Sequence, residues 1–310
     1  MPGESEVRWS ELIGRYDAAL DWLHGFGLQV AGTRFTESRS ILASTTQRYP
    51  HVGLDRTFME PGLAVKFAHS LDDALELIHV SEAFARLLRV PVGLKARLES
   101  ILSGQASLPV SVAMAKTRGF ELLVAALFEA AAYAVDLRKP DLWAVWPGEP
   151  ILALECRRLT GQMKLGPILR VAVGELDKRT RGRTDCRNII ALSIGRERDD
   201  DPVLHFVAGK SSDPGARCDS RVFDYFHTHR DIIDIELEGT KVELLLFFFV
   251  ATWGVAMKSP DGNWMAVNPF VDLSVKQVID FTAPRPFTVA LDRRLTRAAW
   301  GLYKDGVKKL

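Results

Sequence analysis

The run Leu244 to Ala256, "LLLFFFVATWGVA", contains no charged residue and lies between Glu243 and Lys258. Its thirteen residues fall short of the roughly 17 to 25 that a helix needs to span hydrocarbon. The run must therefore be buried inside a fold, and a strand or strand pair is expected there. No membrane partner is expected. The amino-terminal stretch Met1 to Trp9 is polar and acidic rather than a basic lead into an apolar stretch, so no secretory signal is expected either.

The chain has 310 residues, 47% of them hydrophobic, enough for one large domain or two ordinary ones with a packed core. The formal net charge is only +1, so any basic surface has to be local. Residues 116 to 187 are the basic part: 13 Lys and Arg stand against nine Asp and Glu, a net of +4, while the remainder carries −3. The three cysteines, Cys156, Cys186 and Cys218, form no CxxC pair. That argues against a disulfide framework or a structural zinc site and fits a reducing cytoplasm.

The first third reads as helical. "YDAALDWLHGFG" sets Ala18, Leu20, Trp22 and Leu23 on an amphipathic segment closed by Gly25 or Gly27. In "SLDDALELIHVSEAFARLL", Ser70 is the expected N-cap and Asp72 and Asp73 the first turn, ahead of the stripe Leu75, Ile78, Ala83, Leu87 and Leu88. "VGLKARLESILSG" is a third helix ending at Gly104, with a hinge expected over Gln105 to Pro109. From Arg118 the pattern becomes helix, strand, strand, helix, strand. Phe120, Leu123, Val124, Leu127 and Phe128 recur at helical spacing, and "LWAVW" and "ILALEC" flank Pro147-Gly148-Glu149-Pro150, which predicts a β-hairpin. "ILRVAVGELDKR" returns to helical spacing, and "NIIALSIG" is β-branched enough for a central strand. A helix is expected around Val222 to His229. The expected fold is therefore α/β (α+β), a mixed central sheet flanked by helices. Residues 1–109 form its mainly helical region, and 110–310 form the α/β core with the C-terminal strands.

Three carboxylates stand out by position: Glu121 on a helix, Asp141 where the first hairpin strand begins, and Glu155 near the end of the second. A hairpin folds Asp141 and Glu155 back to the same end of the sheet. Two converging carboxylates suit Mg²⁺, a hard cation that takes oxygen ligands and keeps waters for a phosphate to displace. In an idealised hairpin with a four-residue loop, however, Trp146 faces Ile151 and Leu142 lies opposite Glu155, so a bulge or bend near Pro140 is expected.

The run "RGFELLVAALFEAAAYAVDLRKPDLWAVWPGEPILALECRRL" resembles the PD-(D/E)XK nuclease superfamily, whose restriction-endonuclease-like core carries "FE" on a helix, then "PD", a short hairpin, and "(D/E)XK". By that resemblance Pro140-Asp141 is the PD element and Glu155-Cys156-Arg157 the (D/E)XK element, with arginine in place of lysine. The resemblance implies a Mg²⁺-dependent, or Mn²⁺-dependent, DNA endonuclease. Asp141, Glu155 and the backbone carbonyl of Cys156 would hold the metal, Glu121 would assist, and Arg157 would stabilise developing charge. Arginine keeps the charge but cannot act as a base, since its pKa lies above about 12. The alternative is therefore a nuclease fold without catalysis that binds nucleic acid or protein. A third reading is a structural subunit of a larger complex.

Arg158, Lys164, Lys178, Arg179, Arg181 and Arg183 are the candidate contacts to DNA or RNA phosphates, with a solvated loop as the alternative for the last four. Lys164 is also a candidate for a relocated ammonium. Dimerisation would suit a double-strand cutter. His227 and His229, in "FHTH", would share a metal only on a strand, and His205 is expected as a satisfied strand histidine. No P-loop and no Gly-x-Ser-x-Gly elbow is present.

Overall fold

The computed structural model describes residues 9–48, 61–87, 90–102, 109–138, 142–159, 164–194, 204–208, 222–259, 262–278 and 285–308. Helices α1 (Trp9–Gly25), α2 (Arg34–Arg48), α3 (Pro61–Ala85), α4 (Leu94–Leu102) and α5 (Pro109–Ala130) precede β1 (Ala134–Asp136), β2 (Leu142–Val145) and β3 (Ile151–Arg158). Then come α6 (Leu165–Arg179), β4 (Cys186–Ser193) and β5 (Leu204–Ala208). A short helix α7 (222–228), α8 (Arg230–Leu237), β6 (Val242–Ser259), β7 (Gly262–Gln277) and α9 (Pro286–Lys308) complete the chain. The fold is α/β, with helices around a central mixed sheet. No helix among the described residues is long and apolar enough to cross a membrane.

The sheet runs β1-β2-β3-β4-β6-β5, with β7 also paired to β6. β1, β2 and β3 form an antiparallel meander, after which α6 crosses over so that β4 lies parallel to β3, and β6 parallel to β4. The period-2 alternation of a strand sorts its side chains onto two faces. Leu152, Leu154, Cys156, Ile189, Ala191, Leu244, Leu246 and Phe248 join α1–α5 and α9 in one apolar core. Ala153, Ile190, Leu192, Leu245 and Phe247 join α6, α7 and α8 in a second. The run that opened the sequence reading is thus buried on both faces through Phe248, inside a single long strand rather than a strand pair.

Several expectations shift. α3 begins at Pro61, so Ser70 does not cap it; its hydroxyl donates 2.8 Å to the carbonyl of Lys66 one turn back. Asp72 and Asp73 are therefore in mid-helix, where they make ion pairs instead of complementing a helix dipole. Leu142 pairs with Leu154 rather than with Glu155, because the connection is one residue longer than the four-residue loop; the ladder needs no bulge over Leu142 to Ala144. Helices α8 and α9 and strands β1 and β7 were not anticipated. Gly104, Leu88 and the expected hinge over 105–108 lie outside the described residues.

Candidate anion site at the carboxyl end of the third strand

Glu155 and Arg157 project from the α6 face of β3, two residues apart, whereas Cys156 and Arg158 point to the α5 face. Glu155 has no exposed surface. Such a carboxylate survives only with compensating charge, and two arginines supply it. The Arg157 guanidinium contacts Oε1, and Arg179, in the last turn of α6, contacts Oε2. Arg157 also donates from Nη1 to the carbonyl of Cys156, at 3.1 Å. One guanidinium therefore spans the two oxygens, Glu155 carboxylate and Cys156 carbonyl, that the resemblance assigns to a metal.

Arg158, on the other face, reaches α3: Nη2 lies 3.6 Å from Asp72 and Nη1 3.4 Å from Glu76. Glu76 also meets Arg34 at 3.4 Å, while Arg34, itself 1% exposed, pairs with Asp73, which Ser38 also holds at 3.1 Å. Burial raises the Glu76 carboxyl above its ordinary range, against the pull of Arg34 and Arg158. The Glu76 carboxylate lies so close to α5 that a Cβ on Gly119 would come within 1.8 Å of its Oε1. This network ties the N-terminal helices to the end of β3.

Beside this end of the sheet is a cavity of about 400 Å³ lined by Thr117, Arg157, Arg158, Lys164, Pro167, Ile168 and Val171. Lys164 is the exposed N-cap residue of α6 and makes no side-chain cap. Carboxyl ends of parallel strands, where helices begin, are the usual ligand position in open α/β sheets. The cavity lining combines cationic with aliphatic residues. It suits an anion, with Arg157 and Lys164 supplying the attraction because two α3 carboxylates hold Arg158.

The remaining sequence candidates separate. Glu121 is buried with α5 on the opposite side of the sheet from Glu155 and pairs with Arg97 at 2.8 Å and Arg118 at 2.7 Å, so it does not share a pocket with Glu155. Arg179 is no phosphate contact: its side chain is 6% exposed and committed to Glu155. Lys178 pairs with Glu175 at 2.8 Å, and Arg183 pairs with Asp185 at 2.8 Å while lying over the Trp143 ring. Arg181 is exposed. Asp141 lies outside the described residues; it is the residue before Leu142, as Glu155 is the residue after Leu154. His227 and His229 stand on α7 and just after it, not on a strand; their rings pack on Phe223 and Tyr225. His205 is on strand β5.

As the side chains stand, the described residues do not fit a divalent ion. The Glu155 oxygens and the Cys156 carbonyl are engaged by guanidinium groups, and no group of three His, Cys, Asp or Glu residues suited to a metal occurs among the described residues. Sequence reasoning singled out Glu155, Arg157, Arg158 and Lys164, which lie together at this end of the sheet, but read Asp72 only as a first-turn acid and passed over Glu76. Their signal was available: carboxylates four residues apart within the largely apolar "LDDALELIHV". Neither a protein-family profile nor a curated protein matches the sequence.

Proposed function

We propose that this chain is a nuclease-like core that binds the phosphate backbone of nucleic acid without cutting it, with a guanidinium where a nuclease holds its metal. The observation that carries this reading is Arg157, which links Glu155 and the Cys156 carbonyl and also lines the cavity. The element order supports it as well: leaving aside β1, helix α5, the β2–β3 hairpin carrying Glu155, the crossover helix α6 and the parallel strand β4 follow the helix, strand, strand, helix, strand order of the PD-(D/E)XK resemblance. Arg157 and Lys164 would contact phosphate oxygens directly. Glu155 and Arg179 would fix the Arg157 side chain, so that little side-chain entropy is lost when phosphate arrives.

The test is fluorescence anisotropy with a labelled DNA oligonucleotide across a salt series. Lys164→Ala and Arg157→Ala should each weaken binding and flatten its salt dependence, by about 0.7 in log–log slope per lost contact on a single strand and about 0.9 on duplex. An unchanged slope in both variants defeats the reading.

The second reading, a Mg²⁺-dependent DNA nuclease, is favoured by the Leu142↔Leu154 register, because in sequence Asp141 immediately precedes one member of that pair and Glu155 immediately follows the other. In that reading Asp141, Glu155 and the Cys156 carbonyl would hold the ion, which would supply Lewis acidity, and Arg157 would have to leave Glu155. Metal-dependent nicking by the wild-type protein that Glu155→Ala abolishes would establish it. Nicking gained only by Arg157→Lys would identify a lost activity.

A further inference from the structure

The cavity beside Arg157 is lined by two unlike sets of residues: a polar and cationic set, Thr117, Arg157, Arg158 and Lys164, and an aliphatic wall, Pro167, Ile168 and Val171, along the first turns of α6. Val171 is 57% exposed, an aliphatic side chain left open to solvent next to a cluster of cations. A phosphate group alone would use only the cationic set. The volume, about 400 Å³, lies near the lower end of the roughly 300 to 1,000 Å³ typical of sites that enclose a small molecule. It is large enough for one nucleotide unit and too small for a stacked run of them.

We infer that the cavity holds one unpaired nucleotide of a single strand, its phosphate on Arg157 and Lys164 and its sugar and base against Ile168 and Val171. This deepens the phosphate-binding reading and rests on it. In a duplex the bases are paired and stacked inward, so a duplex could present phosphates to Lys164 but nothing apolar to Val171. A single strand can turn a base out at low cost and cover both sets. The two sets therefore divide the work: the cations give affinity for any nucleic acid, and the aliphatic wall gives preference for unpaired strand.

The experiment compares a labelled single-stranded DNA oligonucleotide with a closed duplex of the same sequence, blunt-ended and with every base paired, using the full chain at one salt concentration. The wild-type protein should bind the single strand at least about tenfold more tightly, the ratio that 1.4 kcal/mol gives. Val171→Ser removes apolar surface at an exposed position without changing charge, so it should lower single-strand affinity severalfold and leave closed-duplex affinity unchanged. Lys164→Ala should weaken both and preserve their ratio. Binding of the two DNAs within a factor of about two, or a ratio that Val171→Ser does not move, overturns the inference, while the loss in Lys164→Ala would keep the backbone reading intact. Absence of binding to either DNA overturns both.

Discussion

Removing the Glu155 carboxylate tests the charge arrangement most directly, because two views of this residue predict opposite signs. Here Glu155 is fully buried between Arg157, whose side chain is 24% exposed, and Arg179, at 6%. Glu155→Ala leaves two cations facing each other across a gap. Breaking a buried pair from one side typically costs about 3 to 5 kcal/mol. Arg157 can turn toward the cavity, so most of the loss falls on Arg179, and about 3 kcal/mol is expected. Urea is the denaturant of choice, since a salt would screen the effect being measured. With a slope of about 3 kcal/mol/M, that loss lowers the unfolding midpoint by about 1 M. Arg179→Ala should cost less than Glu155→Ala, and Arg157→Ala least of all. An acid kept in place for a metal behaves otherwise: its removal relieves an uncompensated buried charge and raises stability. A Glu155→Ala protein as stable as wild type, or more so, refutes the assignment of Glu155 to a compensated ion triad.

Burial in α3, with Arg15 nearby, pushes the His79 imidazole down to about 3. Below about pH 6.5 the unfolded chain takes up a proton that the folded chain refuses, so stability falls as pH drops toward 3, by about 1.4 kcal/mol per unit from this group; His79→Gln should remove that slope, read as the difference between variant and wild-type urea midpoints at pH 6 and pH 4. Gly119→Ala should gain about 1 kcal/mol of helix propensity yet destabilise overall, because the new Cβ drives Glu76 from its arginines; a net gain in midpoint would show that Glu76 relaxes freely. Replacing Lys178 and Arg183, already paired with Glu175 and Asp185, should leave the salt slope of DNA binding unchanged, and a fall of about 0.7 or more per residue would return them to the binding surface. Arg294 on α9 lies over the Trp146 ring, donates 3.0 Å to the Tyr133 hydroxyl and pairs with Glu149 at 2.7 Å; Arg294→Ala should cost about 1 to 2 kcal/mol, and an unchanged midpoint would show that the hairpin turn is held without it.

Apart from β1, the order of elements from α5 to β4 was legible because each segment is locally consistent: helical spacing at Phe120 to Phe128, a Pro-Gly turn between apolar runs, and β-branched residues at 188–195. Register was not, since sequence does not reveal whether Trp146 ends a strand or begins a turn, and one residue of loop moves every pairing. Candidate residues were legible where charge met an apolar strand, as at Glu155, because burial there demands compensation. Which arginine would compensate was hidden. Arg179 reads on the sequence as one of a row of loop cations, and only the crossover of α6 over β3 brings it inward. Asp72 and Asp73 were misread for the opposite reason, because a plausible helix start at Ser70 accounted for the acids locally and left no question for tertiary structure to answer.

The side chains of α1 to α4 share one apolar core with α5 and the sheet, and Arg158 is gripped from α3. A chain shortened to begin at Pro109 would therefore bare the side of α5 that packs on α3 and α4 and leave Arg158 without its two acids. The N-terminal third is then no detachable arm: proteolysis anywhere between the helices should release no stable fragment, and the piece carrying Arg157 and Lys164 should precipitate rather than persist.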